Sequence, residues 1–239
     1  MSYAENPYRS PIGTFAAQAA ADERSDFITK TYVHLAGAIG LFVLIEAVLL
    51  QLPATEGLVR MMISGGRFSW LIVLGLFMAV SYVAEGWARS AVSSVTQYMG
   101  LCLYVVAEAV IFLPLLYIAR MQDPSIIPSA AIATLGLFGV LTAVVFITRK
   151  DFSFLRTTLV FGGFAALGFI VVGSLFQFAL GAIFTYAMIA LSCGYILYHT
   201  SNVLHQYRIG QHVAAALALF ASVALLFWYI VQLFMSRRN

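Results

Sequence analysis

Long apolar runs separated by short polar breaks dominate this chain. The runs cover about 31–52, 68–86, 91–118, 126–148, 154–176, 181–204 and 213–235. Each is long enough, at a rise of about 1.5 Å per residue, to cross roughly 30 Å of hydrocarbon. Lipid cannot satisfy backbone N–H and C=O groups, so every run must be helical. The pattern predicts an all-α, polytopic transmembrane bundle of seven helices over 31–236. Residues 1–30 carry Pro7, Pro11, Gly13 and the mixed charges Asp22, Glu23, Arg24 and Asp26, without the apolar core of a signal peptide. They predict a flexible cytoplasmic N-terminal tail ending in an interfacial turn.

Composition agrees with that pattern: 62% of residues are hydrophobic and 10% charged, against about 25% charged in an average soluble domain. Residues 157–236 contain one charged side chain, Arg208, within a polar knot that runs from His199 to His212. Only a bilayer makes an ionised group expensive enough to purge it from so long a stretch. The net charge of +3 is spread along the chain and forms no basic stripe for nucleic acid. Cys102 and Cys193 fall inside apolar runs and belong to no Cys-x-x-Cys pair, so neither redox chemistry nor a metal site is expected of them.

Loop charges set the orientation. Eight Lys and Arg residues fall in the tail and the even-numbered loops: Arg9, Arg24, Lys30, Arg89, Arg149, Lys150, Arg156 and Arg208. Five fall on the other side: Arg60, Arg67, Arg120, Arg237 and Arg238. The chain is expected in the cytoplasmic (inner) membrane, and the positive-inside bias predicts its N-terminus in the cytoplasm and its C-terminus outside.

Two helix faces stand out. In the last run, Ala214, Ala218 and Ser222 recur at every fourth position, the spacing that lets helix backbones approach closely in lipid. This helix is expected to be central, with Val231 on its lipid side. In the run before it, Thr185, Ser192, Tyr195, His199 and Asn202 share one face, a polar stripe expected to point into the bundle.

Four stretches resemble the Bax inhibitor-1 family in its bacterial branch, a family of seven-span membrane proteins. Phe27-Ile-Thr-Lys-Thr-Tyr-Val-His34 is similar to the lead into its first helix. Glu108 followed by Pro114 is similar to the Glu-Gly and later Pro of its third, with Ala109 in place of the Gly. Lys150-Asp-Phe-Ser-Phe-Leu155 resembles its Lys-Asp-x-Ser-x-Leu link between spans four and five. The last stretch has two parts, Gly194–Ser201 and Ala218–Phe227, which resemble the motifs of its sixth and seventh helices. The resemblance implies six helices packed round a central seventh. It also implies a pH-sensitive latch of two aspartates gating a calcium leak, but His199 and Ser222 stand in those two places. An imidazole and a hydroxyl do not supply the oxygen ligands calcium prefers.

The resemblance thus leaves two functions. One is a non-enzymatic partner that modulates another membrane complex, such as a membrane-anchored AAA protease. The other is a pH-sensitive cation leak weakened by the loss of both aspartates.

Candidate residues follow from the same reasoning. A histidine titrates ordinarily near about 6.5, so His199 reads either as a pH sensor or as a neutral side chain bonded to Ser222, Tyr195 or a carbonyl. Arg89 follows the second span like the family arginine that pairs with the sixth-helix aspartate, and opposite a histidine it is expected to face lipid phosphates. Glu85 is expected to snorkel. Glu46 and Glu108 lie deeper, either as separate hydrogen-bonded acids or in one shared outward cavity. The glycine pairs carry no Lys-Ser/Thr and make no phosphate loop. No Ser-His-Asp arrangement, cofactor site or metal site is expected, and the chain is read as a non-enzyme.

Overall fold

The computed structural model describes residues 14–64, 67–90, 93–176 and 180–237. Each predicted apolar run is a helix in it. The helices are α1 (Ala21–Leu49), α2 (Thr55–Ser64), α3 (Arg67–Ala88), α4 (Ser94–Gln122), α5 (Ile126–Thr148), α6 (Leu155–Phe176), α7 (Gly181–His205) and α8 (His212–Ser236). All except α2 are long and apolar enough to cross a membrane. Seven crossings put residue 14 and residue 237 on opposite faces of the bundle, called here the N-side and the C-side.

Helix α1 starts ten residues before the expected Thr31. Asp22 and Glu23 occupy its first turn, where carboxylates favour the positive end of the helix dipole, and Lys30 pairs with Asp26 at 2.6 Å one turn on. The mixed charges therefore begin a helix instead of ending a tail. Residues 14–20 are also docked: the Ala16 N–H donates to the Tyr207 carbonyl (2.8 Å) and the Ile209 N–H to that of Thr14 (3.0 Å), while the Arg208 guanidinium sits 5.2 Å over the Phe15 ring. The remainder of the expected tail, 1–13, lies outside the described residues.

Helix α2 is an amphipathic element where none was expected. It buries Thr55, Val59 and Met62, and on its exposed side Arg60 pairs with Glu56 at 2.8 Å. Its ten residues are too few to cross a bilayer, which suits a helix lying along the C-side. The Thr55 hydroxyl, donating to the Leu49 carbonyl, ties its start to the end of α1.

Helix α8 is the axis of the bundle. It packs against α1, α3, α4, α5 and α7 and is buried on nearly every face. Val231, expected on the lipid side, is fully buried, because the neighbours of α8 surround its C-terminal half as well. Helix α4 is nearly as enclosed, whereas α6 packs on α7 and α3 at the rim. Interlocking rings join α1, α4 and α8: Phe42 meets Phe112 edge-on at 5.1 Å and Phe220 at 6.0 Å.

Helices α3 and α4 also cross closely. A Cβ on Gly100 of α4 would fall 2.5 Å from the Ala84 carbonyl oxygen and 2.6 Å from the Ala88 nitrogen of α3. Both alanines are fully buried there. In α8, by contrast, Ala218 of the alanine ridge borders a small pocket.

Candidate functional site

A cavity of about 830 Å³ runs inside the bundle between α3, α4, α6, α7 and α8. Its C-side mouth is set by Ile63, Leu180 and Gln232, and its floor by Tyr104, Tyr195, His199 and Ser222. From Gly181 to His199 it follows α7 for about 27 Å of helix rise. The polar stripe predicted on α7 explains the floor: Thr185, Tyr195 and His199 line the cavity, while Ser192 and Asn202 are buried on the same helix.

His199 and Ser222 share that floor, as the sixth- and seventh-helix resemblance implies, but they do not bond each other. The Ser222 hydroxyl donates to the Ala218 carbonyl of its own helix at 2.9 Å. The Tyr195 hydroxyl donates to the Leu159 carbonyl at 2.8 Å, tying α7 to α6. His199 is instead gripped by rings, stacked on Tyr195 (6.1 Å, 11°) and edge-on to Tyr198 (5.1 Å). Its buried Nδ1 has no hydrogen-bond partner among the described residues. The expected bond to Ser222 or Tyr195 is thus absent, because both hydroxyls are committed to carbonyls.

Below this floor lies a second pocket of about 90 Å³, lined by Glu85, Arg89, Ala214 and Ala218. His199 and Ala221 border both spaces, so they form the partition between them. Arg89 and Glu85 point into the N-side pocket and approach to 3.6 Å with both side chains largely exposed. Arg89 and Glu85, expected to face lipid phosphates and to snorkel, thus also pair with each other one helical turn apart.

The two deep glutamates part company. Glu108 lines the cavity with only 6% of its surface exposed, and Tyr104 lines it one turn away on the same helix. Glu46 is buried in α1 and does not line this cavity, and its carboxyl oxygens have no hydrogen-bond partner among the described residues. The shared outward cavity is not seen among the described residues, because Glu108 lines this cavity and no residue of α1 does. Glu108 is the one carboxylate in the cavity wall, and no group of three or more His, Cys, Asp or Glu among the described residues could hold a metal ion.

One cluster was missed in the sequence. The Phe152 N–H donates to the Ser201 hydroxyl oxygen at 2.9 Å, and that oxygen lies 3.4 Å from Asp151 Oδ1 and 3.5 Å from His205 Nδ1. Asp151 also accepts the Ser153 N–H at 2.8 Å. Asp, Ser and His do meet here, but the serine sits between the other two and is fully buried. A nucleophile needs the histidine between serine and aspartate and needs room for a substrate. The cluster is therefore a staple that fixes the α5–α6 link on α7, and it accounts for the Lys-Asp-x-Ser-x-Leu pattern. Beside it, burial pushes the Tyr207 phenol up to about 12, so this N-side loop residue stays uncharged.

Comparison with known proteins gives consistent matches. A family model described as "Inhibitor of apoptosis-promoting Bax1" matches residues 24–239. The protein named Bax inhibitor 1 of Schizosaccharomyces pombe is 28% identical over 228 residues, covering 92% of this chain and 80% of that protein. An uncharacterized protein of Pseudomonas aeruginosa is 29% identical over 159 residues, covering 66% of this chain and 68% of its own. A BI1-like protein of Arabidopsis thaliana is 34% identical over 122 residues, 47% of this chain and 46% of that one.

Proposed function

Since this chain belongs to the Bax inhibitor-1 family, we propose that it is a non-enzymatic protein of the cytoplasmic membrane that binds and modulates another membrane complex. A membrane-anchored AAA protease is the kind of partner the family resemblance suggests. The observation that carries this reading is the partition at His199. A latch gated by protons needs two facing carboxylates that share them, and this floor offers an imidazole held between rings and a hydroxyl bonded to its own helix. Calcium passage needs several hard oxygen ligands in succession, and the cavity wall carries a single carboxylate. The N-terminus faces the cytoplasm in this reading, by the balance of loop charges.

The test is purification of the full chain from native membranes in mild detergent, with cross-linking and identification of what travels along. The reading expects an integral membrane complex at near-stoichiometric yield that is lost under harsh detergent. A chain that elutes alone under every mild condition contradicts it. A second reading, a cation leak, has Glu108 in its favour, because a carboxyl that lines a deep cavity can attract a cation.

A further inference from the structure

The wall of the large cavity has a composition that neither reading uses. Tyr104, Glu108 and Phe112 lie one turn apart on α4, so a carboxyl stands between two rings on a single stripe. Both rings are extended by neighbours that also line the cavity. Phe77 of α3 meets Tyr104 at 6.2 Å, and Trp228 of α8 meets Phe112 edge-on at 5.0 Å and stacks on Trp70 at 6.0 Å. Among the described residues that line the cavity there is no Lys or Arg. The carboxyl thus shares the cavity wall with aromatic residues from three helices, and no described lining residue is a cation that could neutralise it.

The geometry points to a binding site for a small lipophilic organic cation, an ammonium carried on an aromatic or alkyl body. Aromatic faces attract cations, most strongly where water is excluded, and quaternary ammonium groups are the ligands such cages hold best. A carboxylate at the centre supplies the compensating charge that a desolvated ammonium requires. The apolar remainder of the wall suits the ligand's body, and about 830 Å³ lies within the range of small-molecule sites. A bare divalent metal is a poor fit, since it would find one carboxylate where it wants six or more oxygens. An amine lipid is a poor fit too, because its phosphate would enter a wall with no Lys or Arg among its described residues. The partition at His199 makes the site dead-ended towards the N-side.

The test uses the full chain in phosphatidylglycerol nanodiscs, with 4-phenylbutyl-trimethylammonium and its neutral tert-butyl isostere as probes. Binding is read by titration calorimetry and by quenching of the cavity tryptophans Trp70 and Trp228, with protein-free discs subtracted. The cation is expected to bind saturably and at least tenfold more tightly than the isostere. Glu108→Gln should weaken the cation at least tenfold and leave the isostere within twofold, which also shows that the variant is folded. Trp228→Leu should weaken both probes. Equal binding of cation and isostere, undiminished cation binding by Glu108→Gln, or no saturable binding would each overturn the assignment. Displacement of the probe by added phosphatidylethanolamine would overturn the exclusion of lipid head groups.

Discussion

Replacing Gly100 by alanine adds one methyl group at a close crossing of α3 and α4. The new Cβ would lie 2.5 Å from the Ala84 oxygen and 2.6 Å from the Ala88 nitrogen, about 1 Å inside ordinary contact. Both are backbone atoms, which no side-chain rotation can move aside. Relief requires α3 and α4 to separate along an extensively packed interface, and overpacking of this kind costs about 1–3 kcal/mol. Alanine recovers part of that loss, because it is favoured over glycine inside a helix by about 1 kcal/mol. With two backbone clashes the upper end applies, leaving a net loss of about 2 kcal/mol. For a chain of this size that lowers the melting temperature by about 4–8 °C. Gly136→Ala on α5 is the control, since nothing lies within 4 Å of its added Cβ, and it should be neutral or stabilising. Thermal unfolding of both variants in the same detergent decides the matter. A Gly100→Ala protein as stable as Gly136→Ala would refute the close crossing.

Three further outcomes follow. Ser201→Ala leaves the Phe152 N–H without its acceptor and should cost about 1–3 kcal/mol, read as a lower melting temperature and faster proteolysis at residues 149–154. The double change His199→Asp with Ser222→Asp restores two carboxylates to the cavity floor and should give liposomes a pH-dependent calcium flux, while either single change should not. A phosphatase reporter fused after Asn239 should be active and one fused after Arg89 inactive, and the reverse pattern would invert the orientation.

Much of the architecture was legible because hydrocarbon imposes a simple rule. Long uncharged runs must be helices, so the seven crossings and the inward stripe of α7 follow from residue type alone. Register and neighbours were harder to read. Val231 looks like a lipid-facing valine, and only the packing of other helices round α8 shows that it is buried. The Ala214/Ala218/Ser222 spacing marks an inner helix, yet a close contact is also made by Gly100 against Ala84 and Ala88. Those three residues lie on two successive helices and carry no shared motif. Short α2 escaped notice because ten residues with Glu56 and Arg60 read as a polar loop when only apolar length is weighed.

The floor of the site was legible as residues but not as bonds. His199 and Ser222 could be placed together through the family motifs, whereas the commitment of Ser222 to Ala218 depends on rotamers that sequence does not reveal. Glu46 and Glu108 look alike in the sequence, each a lone carboxyl in an apolar run. They differ only because α4 turns Glu108 towards the cavity while α1 buries Glu46 elsewhere. The Asp151, Ser201 and His205 staple joins residues about fifty positions apart. Its one linear trace is the Lys-Asp-x-Ser-x-Leu pattern, which gives no hint of its partner on α7.

The account rests most heavily on the interior being closed to calcium at His199. The direct measurement is calcium entry into dye-loaded liposomes containing the purified, unmodified protein alone, at neutral and acid pH. The account predicts entry indistinguishable from protein-free liposomes at both. Saturable entry well above that background, abolished by Glu108→Gln, would contradict it.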